Sequence, residues 1–228
     1  MRKRQTTFKV YLIPGIGADY RIFKHIRLPE GYEACYIHWI PPHKNEPLAD
    51  YAFRLTQQMD TNEPFVLAGV SLGGIMATEI AKRIAPVCTI LISSIPLSAQ
   101  LPKFYKWTGR LHLENIIPVT FLKLGAVITH SLTIRPAANR RLMRQIDWAG
   151  DPVFIRWALR AVLEWHNETL PQPLFHLHGT RDLVFPIRFT TPTHILPKGG
   201  HFFLITRPEA VNRFLREVLP PIPAPNPA

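Results

Sequence analysis

The sequence predicts an α/β fold, a mainly parallel sheet with helices on both faces. Two observations carry this. Short apolar runs bounded by Pro, Gly or Ser recur along residues 8–96 and again along 171–219, as strands buried on both sides require. Between them lie stretches with apolar residues at helical spacing, and strands alternating with helices build parallel sheets. Ligands bind such sheets beyond the carboxyl ends of the strands, so those loops are where chemistry is expected.

In chain order, strands are expected at Lys9–Ile13, Ala34–Ile40, Phe65–Val70, Thr89–Ser93, Leu174–His178 and His194–Leu196. Leu48, Tyr51, Ala52, Leu55 and Met59 recur at helical spacing. Leu72 to Ala85 reads as a helix stopped by Pro86. Asp151-Pro152 supplies an N-cap and a first-turn proline for a helix to about His166. Thr206, with Glu209 three residues later, fits a capping box, and Val211, Phe214, Leu215 and Val218 then form an apolar stripe. Residues 97–170 read as mostly helical. Their aromatics, Phe104, Tyr105, Trp107, Phe121, Trp148, Phe154, Trp157 and Trp165, are expected mainly to pack helices on the sheet, with a few lining an apolar pocket. Pro220 to Ala228 holds five prolines and reads as a disordered tail.

Composition excludes several classes. A chain of 228 residues with 46% apolar content buries a full core without a disulfide or metal staple. Two cysteines, Cys35 and Cys88, exclude a disulfide-rich scaffold and a four-thiolate zinc site. The longest charge-free apolar stretches, 65–78 and 86–102, are too short and interrupted for a bilayer span. Met1-Arg2-Lys3-Arg4 is followed by neither a long apolar run nor a small-residue cleavage site, so a cytoplasmic protein is expected. The net charge is +11, but the basic residues are scattered, with no zinc-finger spacing and no RNP-like stretch. The charge therefore reads as a solvated surface and not as a nucleic-acid interface. Residues 97–170 carry ten Lys/Arg against five Asp/Glu, a bias that would steer anionic acyl groups such as coenzyme A thioesters.

The chemistry begins at Gly69-Val70-Ser71-Leu72-Gly73, followed by Gly74, where an expected strand becomes an expected helix. This is the G-x-S-x-G pattern of a nucleophile elbow in its required context. A sharp turn lifts the serine hydroxyl above the sheet, and glycine two residues either side avoids collision. The helix that starts there aims N-terminal amides at developing negative charge. A serine nucleophile needs a base. Among ten histidines, His201 follows Pro197-Lys198-Gly199-Gly200, beyond the last expected strand. The base needs a carboxylate to fix its tautomer, and Asp182 lies just past the strand ending at His178. The order Ser71, Asp182, His201 is that of a nucleophile–acid–histidine triad on this kind of sheet.

These residues resemble the α/β-hydrolase superfamily over nearly the whole folded chain. The anchors are Gly69–Gly73, His178-Gly179-x-x-Asp182 with Pro186, and Gly200-His201. The resemblance implies Ser71 as nucleophile, His201 as general base and acid, and Asp182 as the orienting carboxylate. It implies an oxyanion hole from the backbone amides of Leu72 and Ile16, the latter in Pro14-Gly15-Ile16-Gly17. Family members often carry His-Gly there; Pro14 leaves the amide donor in place but alters its support. The chain begins at what resembles the family's third strand, so about six strands are expected. Residues 1–96 and 171–219 would form the core and 97–170 the helical cap. No cofactor or metal is implied. The expected substrate is a small carboxylic ester or thioester with an apolar part. Some members use the same residues for lyase or C–C cleavage chemistry, and others bind ligands without turnover. The intact trio weighs against the last.

Competing motifs are weaker. Gly15-Ile16-Gly17 lacks the third glycine of a dinucleotide loop, with Tyr20 in its place, and no Gly-Lys-Ser/Thr marks a P-loop. His176 and His178 share a strand face as a metal pair would, but no carboxylate-rich cluster accompanies them. Asp19 and Asp151 are alternative acids, Asp151 being better explained as a helix cap.

Overall fold

A computed structural model describes residues 8–102, 105 and 137–221. Among them, six strands form one parallel sheet in the order β2-β1-β3-β4-β5-β6. They are β1 (Phe8–Ile13), β2 (Tyr32–Tyr36), β3 (Phe65–Val70), β4 (Cys88–Ile92), β5 (Leu174–Gly179) and β6 (His194–Leu196). The helices are α1 (Leu48–Leu55), α2 (Leu72–Ala81), α3 (Ala137–Ala149), α4 (Pro152–Glu164), α5 (Phe203–Thr206) and α6 (Pro208–Val218).

Every residue of β3 and β4 is buried, because helices cover both faces. Alternate side chains feed two cores. Tyr11, Ile13, Phe65, Leu67 and Leu91 pack with α1, α2 and α4. Val10, Leu12, Val66, Ala68, Ile90 and Leu177 face the other way, onto α3, α5 and α6. The order of the sheet fixes where a site can form. The chain leaves β1 for β2 on one side, then crosses to β3 on the other. This reversal opens a crevice beyond the ends of β1 and β3. Ile13 pairs with Gly69, so the loop after β1 and the turn carrying Ser71 emerge side by side.

Most strand ends fall within one residue of expectation, and four features depart further. β2 spans 32–36, not 34–40: after Ile37 donates its N–H to the Leu12 carbonyl (3.0 Å) the chain leaves the sheet, and Trp39 turns to bond the loop after β1. α2 ends at Ala81 rather than Ala85, because Pro86 restricts the residue before it and the chain opens into turns closed on the Ile80 carbonyl. Met59 lies beyond α1, past a short 3₁₀ turn. The Thr206 capping box does not form. Thr206 closes α5, its hydroxyl donating to the Phe202 carbonyl (3.3 Å), while α6 starts at Pro208, which needs no N–H partner.

The Asp151 cap does form, accepting from the Val153 N–H at 2.9 Å. Phe154, Trp157 and Trp165 are buried against the α1–α2 face, as packing residues, with Tyr105 partly buried beside them. Phe104, Trp107, Phe121, the Trp148 side chain, much of the expected cap and most of the Pro-rich tail lie outside the described residues. Among the described residues no helix is long and apolar enough to cross a membrane.

Candidate active site

Ser71 sits between β3 and α2 with φ 54° and ψ −119°, a left-handed conformation that side-chain-bearing residues rarely adopt. Such strain costs on the order of 1–3 kcal/mol and persists only where packing enforces it. The enforcement is visible in the glycines. A Cβ on Gly69 would run into the Gly73 carbonyl; one on Gly73 would run into the Ile13 and Pro14 carbonyls; one on Gly74 would strike Ser94. The turn is pinned on both sides of Ser71: its N–H donates to the Ile92 carbonyl (3.0 Å), and the Ser94 hydroxyl donates to its carbonyl (2.7 Å).

The structure brings Ser71, His201 and Asp182 together from the ends of three strands. His201 Nδ1 lies 2.8 Å from Asp182 Oδ2, and His201 Nε2 lies 3.0 Å from Ser71 Oγ. Asp182 Oδ1 accepts from the Val184 and Phe185 amides, each at 2.9 Å. Burial pushes the Asp182 carboxyl up, but the hydrogen bond from His201, aided by the Phe185 amide, holds it below the ordinary carboxylate value. An ionised carboxylate only accepts, so the His201 proton sits on Nδ1 and Nε2 is left to accept from the serine hydroxyl.

Behind Asp182 is a pair of histidines. His178 Nε2 lies 2.7 Å from the Phe185 carbonyl and must donate to it. Its Nδ1 then accepts from His176 Nε2 at 3.1 Å. Burial pushes the imidazoles of both down, His176 to about 3, so both are neutral. They brace Phe185, whose own N–H donates to Asp182. Among the described residues no group of three or more His, Cys, Asp or Glu is placed to hold a metal.

The two expected oxyanion donors flank Ser71. Leu72 is the first residue of α2, and Ile16 lies in a turn closed by the Ala18 N–H on the Gly15 carbonyl (3.0 Å). Among the described residues neither amide donates a hydrogen bond. The support of this turn comes from a residue that the sequence did not single out. The Trp39 indole N–H reaches the carbonyls of Ala18 (2.9 Å) and Gly15 (3.3 Å), and Trp39 itself packs on Phe154, with ring centroids 4.7 Å apart. Its only sequence signal is an aromatic near the end of the expected strand Ala34–Ile40.

The alternative acids are committed elsewhere. Asp19 is bound by the Arg21 side chain (2.6 Å) and caps the 3₁₀ turn Tyr20–Phe23; Asp151 caps α4. That 3₁₀ turn is all the helix between β1 and β2, so Gly15-Ile16-Gly17 does not open the helix a dinucleotide loop needs.

A cavity of about 210 Å³ opens over Ser71 and His201, with walls from the Gly15–Ala18 turn, α3 and α5. A second, of about 300 Å³, shares Ala18 with it and is lined by Trp39, Phe154, Asp19, His38 and Asp151.

Several solved structures share the architecture. An esterase from Thermogutta terrifontis is 19% identical with a TM-score of 0.68, covering 94% of this chain and 90% of its own. MenH from S. aureus is 16% identical with a TM-score of 0.71, covering 93% and 94%. A bromoperoxidase from Bacillus anthracis is 15% identical with a TM-score of 0.70, covering 92% of each. At these identities the match is one of fold. No curated protein matches the chain. The sequence model described as "Alpha/beta hydrolase family" matches residues 10–214, so the chain belongs to the alpha/beta hydrolase family.

Proposed function

We propose that this hydrolase is a serine hydrolase that cleaves small carboxylic esters or thioesters through an acyl-enzyme. The line from Ser71 Oγ to His201 Nε2 at 3.0 Å and from Nδ1 to Asp182 at 2.8 Å supports this reading most directly. His201 takes the serine proton as Ser71 attacks the acyl carbonyl, then gives it to the leaving group. Asp182 holds the imidazole and stabilises its charged form. The Leu72 and Ile16 amides receive the oxyanion, each donor being worth about 100- to 1000-fold in rate. A water activated by His201 releases the acyl group, and no cofactor takes part. Residues 97–170 act as the cap, of which α3 and α4 are the described helices, and shape the substrate cavity.

The test is ester turnover by Ser71→Ala, His201→Ala and the double variant. Each single change removes roughly a million-fold of kcat, and the double variant is no worse, because the residues act as a unit. Near-normal turnover by either single variant contradicts the assignment.

A further inference from the structure

We propose that the cavity over Ser71 is a site for one uncharged hydrocarbon group of roughly four to eight carbons, with Met143 and Ile146 of α3 setting its length. The chemistry done on that group rests on the serine-hydrolase reading; the binding does not. Size comes first. At interior packing density a methylene takes roughly 25 Å³. The 210 Å³ available is thus filled by about eight carbons. An apolar cavity of about 150 Å³ is already enough for a benzene ring.

Chemistry comes second. Among the described residues the wall is built by Ile16, Ile22, Met143, Ile146, Leu204 and Ile205, and the only side chains there able to hydrogen-bond strongly are Ser71 and His201. Among the described residues no lysine or arginine lines it, nor does one line the neighbouring cavity, where Asp19 and Asp151 stand instead. A carboxylate or phosphate buried there would lose its water and meet no lysine or arginine among the described residues.

The length stop comes third. Met143 and Ile146 lie three residues apart on one face of α3, both buried, in the same core cluster as the sheet's β3 and β4. Met143 is flexible and yields to a ligand; Ile146 is β-branched with restricted χ1 and resists. Ile146 is thus the harder stop.

Two measurements test this. The first is calorimetric binding of n-alkanols from butanol to decanol by Ser71→Ala, which needs no turnover. Affinity rises about threefold to fourfold per methylene, then levels off near octanol. Ile146→Ala moves that break about two carbons longer and Ile146→Phe moves it shorter, opposite shifts that general loosening of the fold does not produce. Octanoate at pH 8 binds at least about tenfold more weakly than octanol. The second is turnover by the native chain of p-nitrophenyl esters from acetate to laurate and of alkyl acetates from ethyl to octyl. A break in the first series places the hydrocarbon on the acyl side, and a break in the second places it on the alcohol side. Absence of alkanol binding, affinity without a break, or a break unmoved by both Ile146 variants overturns the proposal. A break in binding with no Ser71-dependent turnover keeps the hydrocarbon site and sinks the serine-hydrolase reading instead.

Discussion

Ser71 is held at a positive φ because β1, β4 and α2 close around it, and the geometry next to it depends on two residues of opposite legibility. The place of Asp182 was readable, a carboxylate just past a strand and before a proline, and it lies 2.8 Å from His201 Nδ1. Asp182→Asn keeps the shape but donates where it should accept, leaving His201 in the wrong tautomer, so kcat falls by about ten thousand-fold. Steady-state ester kinetics check this, and a mild loss means another acid orients His201. Trp39 was not readable, since its role depends on where β2 leaves the sheet, and one aromatic among many carries no such signal. Trp39→Phe keeps the ring against Phe154 but removes the donor that holds the Gly15 and Ala18 carbonyls. The expected loss is about tenfold to a hundredfold in kcat with KM within about twofold, and an equal loss in affinity for an alkylboronate that mimics the tetrahedral intermediate. Unchanged boronate affinity would show that the turn needs no indole clamp.

At the scale of the element, β5 carries the acid loop and also a pH dependence. Its His176 and His178 are buried and neutral, with values below the ordinary histidine range. The unfolded chain takes up protons below about pH 6.5 while the folded one does not, so stability falls as the pH drops from there toward about 3. His176 adds a slope of about 1.4 kcal/mol per pH unit across that window, and His178 acts in the same direction. Asp182, held low, acts lower still: its contribution is present above about pH 4 and is lost as the pH falls through its native value. Urea unfolding between pH 4 and 7 should give a slope shallower by about one proton in His176→Gln; an unchanged slope would show that His176 is not buried neutral. The histidine pair could be seen in the sequence, but not its partner, because a backbone carbonyl seven residues away leaves no mark on residue type. The element boundaries divide the same way. Buried strands flanked by glycine and proline came within a residue or two of their observed ends. β2 and the last turn of α2 missed because a tertiary bond and a proline's reach set them, not periodicity. The Thr206 box failed because Pro208 begins its helix without any cap side chain.

The whole molecule is a parallel sheet whose strand order reverses between β1 and β3, and the candidate site stands at that reversal. This much was legible, because strand–helix alternation and the glycine-flanked serine are both local patterns. The shape of the substrate space was not, because it depends on how residues far apart in the chain, such as Ile16, Ile146 and Ile205, meet over Ser71. The measurement that tests the central claim most directly is labelling by a fluorophosphonate, read by intact mass, on the native protein, Ser71→Ala and His201→Ala. An activated Ser71 gives one adduct on the native protein and none on either variant. An adduct that survives in Ser71→Ala, or a folded native protein that takes none from either a fluorophosphonate or a smaller acylating reagent, contradicts it.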